Sequence, residues 1–226
     1  MRTLAIGDIH GCFTALQTLA DHASIDRDDL VIGLGDYVDR GPDSSAVIDW
    51  LIHRHKMGKL IALRGNHELM MLAARQQREY LSVWRACGGD ETLESYRVDD
   101  KKRASLDDVP AEHWTFLETQ TRRYFEVETH FFVHATVAPE VRLEDQEDHV
   151  LYWEKFEPTF SSPHVSGKIM VCGHTPRRDG VPISHGHTIC LDTWAYKNQW
   201  LTCLDIHSNQ YWQANQQGEV RGGWLK

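Results

Sequence analysis

Thr3 to Ile6, Leu30 to Leu34 and Leu60 to Leu63 are short apolar runs, and each closes on a polar, glycine-bearing motif. Each reads as a strand. Between them, from Phe13, Leu16, Leu19, Ala20 and Ala23 recur at helical spacing. Val47, Ile48, Leu51 and Ile52 mark a second helix that Asp43 or Ser44 can cap. The order strand, helix, strand, helix, strand predicts a parallel β-α-β-α-β half with its site on one sheet edge. A third helix is predicted from Glu68 to Arg85, with Leu69, Leu72, Ala73 and Leu81 apolar. Residues 90–123 are charge-rich, broken by Pro110 and anchored by Trp114, Phe116 and Leu117. With the preceding helix they read as a helical cap, around residues 70–123, inserted over the sheet edge of a single domain spanning 1–226.

Further on, Tyr124 to Glu128 and Phe131 to Val133 are paired strand candidates, and Lys168 to Cys172 is another. Gln146 to Pro158 is acidic and aromatic. The tail carries three close strands, Thr188 to Leu191, Trp200 to Ile206 and Gln210 to Gln213, whose spacing predicts an antiparallel second sheet packed on the first.

Composition narrows the function. With 226 residues, 41% hydrophobic and 25% charged, the chain has the length and balance to bury a core. A formal charge of −9 disfavours a nucleic-acid backbone as partner. The five cysteines, Cys12, Cys87, Cys172, Cys190 and Cys203, contain no CxxC pair, which argues against a thiolate zinc site and fits a reducing compartment. Met1 to Ile6 runs straight into a strand, with no secretory signal and no apolar run of membrane-spanning length anywhere. The expectation is a soluble, cytoplasmic protein without membrane partners.

The residues that end each strand carry the chemistry. They are Asp8 and His10, Asp36, Asn66 and His67, His134, and His174. Carboxylate and imidazole donors without thiolates suit Mn²⁺, Fe or Zn²⁺ with room left for water. One site can be built from Asp8, His10 and Asp36, and another from Asp36, Asn66, His134 and His174. A shared carboxylate at Asp36 would hold two ions roughly 3.5–4 Å apart, as in two-metal hydrolytic sites. Singly, each motif is an ordinary strand-end turn; their recurrence at five strand ends is what points to metal.

These residues resemble the phosphoprotein phosphatase branch of the calcineurin-like metallophosphoesterases, particularly its short bacterial and phage members. The motifs are GDIHG at 7–11, GDYVDRG at 35–41, GNHE at 65–68, an abbreviated His134-Ala135, and GHTP at 173–176, with Leu191-Asp192-Thr193 similar to a late IDTG. The resemblance implies an α/β fold of two mixed sheets in a sandwich flanked by helices, a four-layer αββα arrangement. It implies two divalent metals, Mn²⁺ first, and hydrolysis of phosphate monoesters by direct attack of a metal-bridging hydroxide. It also implies that Arg40, with Asn66 and His67, binds phosphate oxygens. His67 would protonate the leaving alkoxide, and Asp39 would hold that imidazole charged and oriented. The implied substrate is a phosphorylated protein or peptide.

Departures from the family pattern lie on the far wall. Lys155, in Trp153-Glu154-Lys155-Phe156, stands where a second phosphate-binding arginine is expected; Arg177 and Arg178 are the other cations near that position in the chain. Ala135-Thr136 replaces Gly-Gly, and Trp194 follows Asp192-Thr193 where the short members have glycine. The alternative functions are a symmetrical dinucleoside tetraphosphate hydrolase, a small-molecule phosphomonoesterase or phosphodiesterase, and an inactive metal-binding scaffold. The dinucleotide hydrolases carry sequences similar to GDLVARG and GNHD, so Asp39 and Glu68 favour the protein phosphatase.

Overall fold

The computed structural model describes residues 1–98, 103–157 and 162–225. The first half follows the predicted order: β1 (Thr3–Ile6), α1 (Phe13–His22), β2 (Leu30–Gly33), α2 (Ser44–Lys56), β3 (Leu60–Leu63) and α3 (Asn66–Gln76). Asp43 caps α2 by accepting from the Ala46 N–H at 3.3 Å. β1, β2 and β3 pair in parallel, so their carboxyl ends, with the three polar motifs, share one edge.

The region between α3 and the next strand is helical: α4 (Leu81–Trp84), α5 (Asp90–Ser95) and α6 (Ala111–Thr115), joined by irregular turns. The predicted helix from Glu68 to Arg85 is interrupted, because Gln77 is extended at φ −139° and ψ 114°. Arg78 to Tyr80 are all exposed, so burial does not enforce continuation. Tyr96 Oη, His113 and Asp49 form a hydrogen-bonded chain, at 2.9 and 3.0 Å, that fastens this insertion to α2.

The remaining elements are β4 (Thr121–Arg122), β5 (Tyr124–Glu126), β6 (His130–Val133), α7 (Asp148–Trp153), β7 (Ile169–Cys172), β8 (Ile183–Ser184), β9 (Thr188–Cys190), β10 (Leu201–Asp205), β11 (Gln210–Ala214) and β12 (Val220–Trp224). They complete two mixed sheets, in the orders β12-β11-β10-β1-β2-β3-β4 and β5-β6-β7-β9-β8. The tail corrects one expectation. Only β9 joins the second sheet, parallel to β7, whereas β10 and β11 extend the first sheet beside β1. Period-two alternation marks which face of a strand is apolar but not which strand it pairs with.

Three apolar layers hold the stack. Leu4, Ile6 and Val31 face the helices, with Leu16, Leu19, Val47 and Leu51 against them. Ala5, Ile32, Leu63 and Leu204 face the other way and meet Phe132, Val171 and Ile189 between the sheets. Phe131 and Val133 point outward from the second sheet to Leu151, Tyr152 and Phe156. That outer layer is thin, with α7 as its helix. No helix among the described residues is long and apolar enough to cross a membrane.

Candidate metal centre

Three turns at the carboxyl ends of β1, β2 and β3 interlock. The Ile9 and His10 N–H groups donate to the Asp36 carbonyl, at 3.1 and 2.8 Å, and Gly11 N–H donates to the Tyr37 carbonyl at 2.8 Å. Glu68, at the start of α3, reaches back into the second turn. Its carboxylate accepts from the backbone N–H groups of Gly65, Asp36, Tyr37 and Val38, at 2.8, 2.9, 2.8 and 3.3 Å. The backbone is forced as well as bonded. Of nine non-glycine residues with positive φ among the described residues, five are His10, Asp36, Asp39, Arg40 and His174. Left-handed backbone is costly for such residues and concentrates where side chains must be aimed.

The aim is at Asp36. His10 Nε2 lies 3.5 Å from one carboxylate oxygen of Asp36, and His134 Nε2 lies 3.4 Å from the other. Asn66 Oδ1 is 3.0 Å from both His134 Nε2 and His174 Nδ1. His10, Asp36 and His67 each offer a donor atom within 4.8 Å of one another, as do Asp36, His134 and His174. Asp36 therefore belongs to both groups, and Asn66 joins the second.

The donor set fits cations. His10 Nδ1–H donates to the Val38 carbonyl at 2.9 Å and His134 Nδ1–H to the Leu34 carbonyl at 2.8 Å, which leaves each Nε2 as a lone pair. His174 Nε2–H donates to the Trp153 carbonyl at 3.2 Å, leaving its Nδ1 lone pair toward Asn66. At His134 and His174 the lone pairs thus meet the Asn66 oxygen with no proton between them, an arrangement a divalent cation would satisfy. Burial drives the imidazoles of His10 and His134 toward the neutral form and that of His174 down to about 4. Burial also opposes ionisation of Asp36, but His134, His67, His10 and His174 outweigh it and hold its carboxyl below the usual range.

Asp8 stands apart from both groups. Its carboxylate accepts the His174 N–H at 3.0 and 3.2 Å, and a side chain at Gly173 would collide with it, the would-be Cβ lying 2.0 Å from Oδ1. Burial raises its carboxyl well above the ordinary range, with Asp192 and Asp36 adding to the rise. Asp192, also buried, is pushed up to about 7.

His67 Nδ1 and Asp39 Oδ2 are 2.6 Å apart, and both residues are buried. Trp84 Nε1–H, 3.0 Å from both carboxylate oxygens, and Thr92 Oγ1–H at 2.7 Å also donate to Asp39. The helical insertion thereby buttresses this pair. Burial works against the imidazolium of His67, yet Asp36 and Asp39 raise it above the ordinary value. Arg40 Nη1 donates to His10 Nε2 at 3.0 Å, and its backbone N–H is fixed by the Gly88 carbonyl at 3.1 Å.

A family model described as calcineurin-like phosphoesterase matches residues 1–207. The chain belongs to that family. Among curated calcineurin-like relatives, a serine/threonine-protein phosphatase 1 of Salmonella typhimurium is 40% identical over 86 residues, 38% of each chain. A symmetrical bis(5'-nucleosyl)-tetraphosphatase of Pseudomonas syringae pv. syringae is 29% identical over 145 residues, 63% of this chain and 44% of that protein. The matched stretch is therefore under half the length of either relative. A crystal structure named as a candidate diadenosine tetraphosphatase superposes with a TM-score of 0.67 at 18% identity, covering 100% of this chain and 94% of the other. That likeness is one of fold.

Within this calcineurin-like frame several working residues carry no signal of their own in the sequence. Glu68 lies inside a motif but holds backbone. Trp84 and Thr92 come from the insertion. Tyr196 packs edge-on against His10, with centroids 5.0 Å apart, and under the Arg40 guanidinium at 4.7 Å. Trp194, left-handed at φ 64°, donates Nε1–H to Tyr196 Oη at 3.0 Å and so sets that ring. Lys155 lines a separate cavity of about 300 Å³ with Phe131 and His164. Arg177 pairs with Asp179, and Arg178 stacks on Trp194 at 5.3 Å.

Proposed function

We propose that this phosphoesterase is a metal-dependent protein phosphatase that hydrolyses phosphoserine and phosphothreonine monoesters. The observation that carries the reading is the His67–Asp39 contact of 2.6 Å. A serine or threonine alkoxide has a conjugate-acid pKa far above 7 and departs only if protonated, so a buried imidazole held charged by a carboxylate has a purpose. A nucleoside phosphate leaving group is a stable anion near neutral pH and needs no such acid.

Asp36, Asn66, His134 and His174 would hold one divalent cation and Asp8, His10 and Asp36 a second; Mn²⁺ is our first choice, with Fe or Zn²⁺ as alternatives. When bound, such ions supply Lewis acidity and a water of lowered pKa. The chain does the rest. Arg40 presents a planar fork to phosphoryl oxygens, and Asn66 adds an oxygen donor without adding negative charge against an anionic substrate. Asp39 accepts the Nδ1–H hydrogen bond of His67 and keeps the imidazole charged, so Nε2–H faces the site and can be delivered to the leaving oxygen. Five free cysteines accord with a reducing, cytoplasmic setting.

The dinucleotide reading stands second; it is supported by a relative carrying that name that matches over 63% of the chain, against 38% for the Salmonella typhimurium phosphatase. A substrate panel with added Mn²⁺ separates the two: phosphoserine, phosphothreonine and phosphotyrosine peptides beside diadenosine tetraphosphate. Preference for the dinucleotide would overturn our proposal. Within the panel, His67→Ala should cost on the order of 10²–10⁴ in kcat/KM on phosphoserine peptide and far less on p-nitrophenyl phosphate, whose leaving group needs little protonation. Asp39→Asn should shift the same ratio in the same direction. Equal losses on both substrates would remove the acid role.

A further inference from the structure

Beside Arg40 lies an open cavity of about 470 Å³ whose charged walls are Arg40, Arg85, Lys197, Asp90 and Glu91, with Tyr196 as its aromatic side. It is distinct from the cavity lined by Lys155. Asp90 is engaged, because its carboxylate accepts from Arg85 Nε at 2.5 Å. Arg40 and Lys197 form no salt bridge among the described residues. Both sit on Tyr196: the Arg40 guanidinium is 4.7 Å and the Lys197 ammonium 5.7 Å from its ring centroid. Tyr196 is itself fixed by Trp194 and by the His10 ring. One ring therefore carries both cations at the cavity wall: Arg40, whose Nη1 also donates to His10 at 3.0 Å, and Lys197, exposed to solvent. The local balance is one net positive charge in a chain of formal charge −9.

We infer that Lys197 forms a second anion subsite in this cavity, so that preferred substrates carry another negative group close to the scissile phosphate. This deepens the phosphatase reading and rests on it: the second group would be an acidic side chain flanking the phosphorylated residue. Lysine is suited to the task, because its compact charge on a flexible stem tolerates variation in the position of a carboxylate. Glu91, exposed in the same wall, opposes the effect and sets its size.

The test uses three phosphoserine peptides that differ only in placing Glu, Ala or Lys next to the phosphoserine, assayed with Mn²⁺. The Glu peptide should exceed the Ala peptide about five- to tenfold in kcat/KM, and the Lys peptide should fall below both. Lys197→Ala should bring the Glu:Ala ratio near one, Lys197→Glu should invert it, and Glu91→Gln should raise it. Dissociation constants of matching non-hydrolysable phosphonate peptides should move by the same factors. Raising salt from about 0.05 to 0.5 M should compress the ratio, as expected for exposed charges. A Glu:Ala ratio indifferent to Lys197 substitution, in variants that melt as the parent does, overturns the subsite. If no peptide is cleaved, the phosphatase reading fails and the comparison passes to diadenosine tetraphosphate. A KM there that rises in Lys197→Ala retains the subsite for a polyphosphate chain, and an unchanged KM overturns it as well.

Discussion

Glu68 contributes no atom to the two convergent groups of donors, yet its two oxygens gather four backbone N–H groups from the turns that carry Asp36 and Asn66. Removing it leaves buried donors without partners, at roughly 1–3 kcal/mol for each one that stays unsatisfied. Glu68→Ala should therefore lower unfolding free energy by about 3 kcal/mol or more in denaturant titration. It should also reduce bound metal at both positions after dialysis, as read by elemental analysis. Glu68→Gln keeps one acceptor oxygen and should fall between. Unaltered metal content in a clearly destabilised Glu68→Ala would separate the turn from the site. At this scale the sequence already pointed to His10, Asp36, Asn66, His134 and His174, because their chemistry is unusual for strand-end turns. It did not point to Tyr196 or Trp84, which look like any half-buried or buried aromatic until their ring edges and N–H groups have neighbours. Lys155 was the cation singled out by position along the chain, and Lys197 is the one that shares a ring with Arg40.

The strand ends work because glycine lets carboxylates lie flush against backbone. A Cβ on Gly173 would sit 2.0 Å from Asp8 Oδ1, and one on Gly65 would sit 2.2 Å from Asp36 Oδ1. Gly173→Ala should thus cost about 1–3 kcal/mol through overpacking and displace Asp8. The checks are a lowered melting temperature and, at matched folding, a weaker metal complement. A Gly173→Ala protein as stable as the parent would mean that Asp8 has room to move. The parallel half was legible element by element, since each apolar run stops at its own motif. The break at Gln77 was not, because the apolar spacing continues through Leu81 while the chain turns away in between. Nor was the split of the tail between two sheets: β9 and β10 have similar alternation and differ in their neighbours, β9 lying beside the nearby β7 and β10 beside β1 at the start of the chain.

Over the whole molecule, acid stability has an identifiable anchor away from the candidate metal centre. Asp29 ties the start of β1 to the loop before β2, accepting from Arg2 N and Nε at 3.0 and 3.2 Å. Burial works against its ionisation, but these bonds to Arg2 and one from Asp26 N–H lower the carboxyl to about 2 from an ordinary 3.8. A depressed acid stabilises the fold fully above its unfolded value, and that contribution is lost as pH falls through the folded one. The window is therefore about pH 4 down to about 2, and the contribution is of the order of 1 kcal/mol once solvent screening at half-exposed Arg2 is allowed for. Asp29→Asn should flatten this part of the stability-against-pH curve and leave the neutral side offset by a constant. An acid slope identical to the parent's would rule out Asp29 as a contributor.

The wall bearing Trp194, Tyr196 and Lys197 is a short turn between β9 and β10, whereas the donor groups are knotted together through Glu68, glycine contacts and left-handed backbone. These two parts face different evolutionary constraints. A single replacement in the knot disturbs several partners at once, so drift there meets a steep barrier. Lys197, exposed on that turn, can be exchanged while the donor groups stay whole. Lineages sharing this centre can diverge in diet by rewriting a handful of codons in one turn.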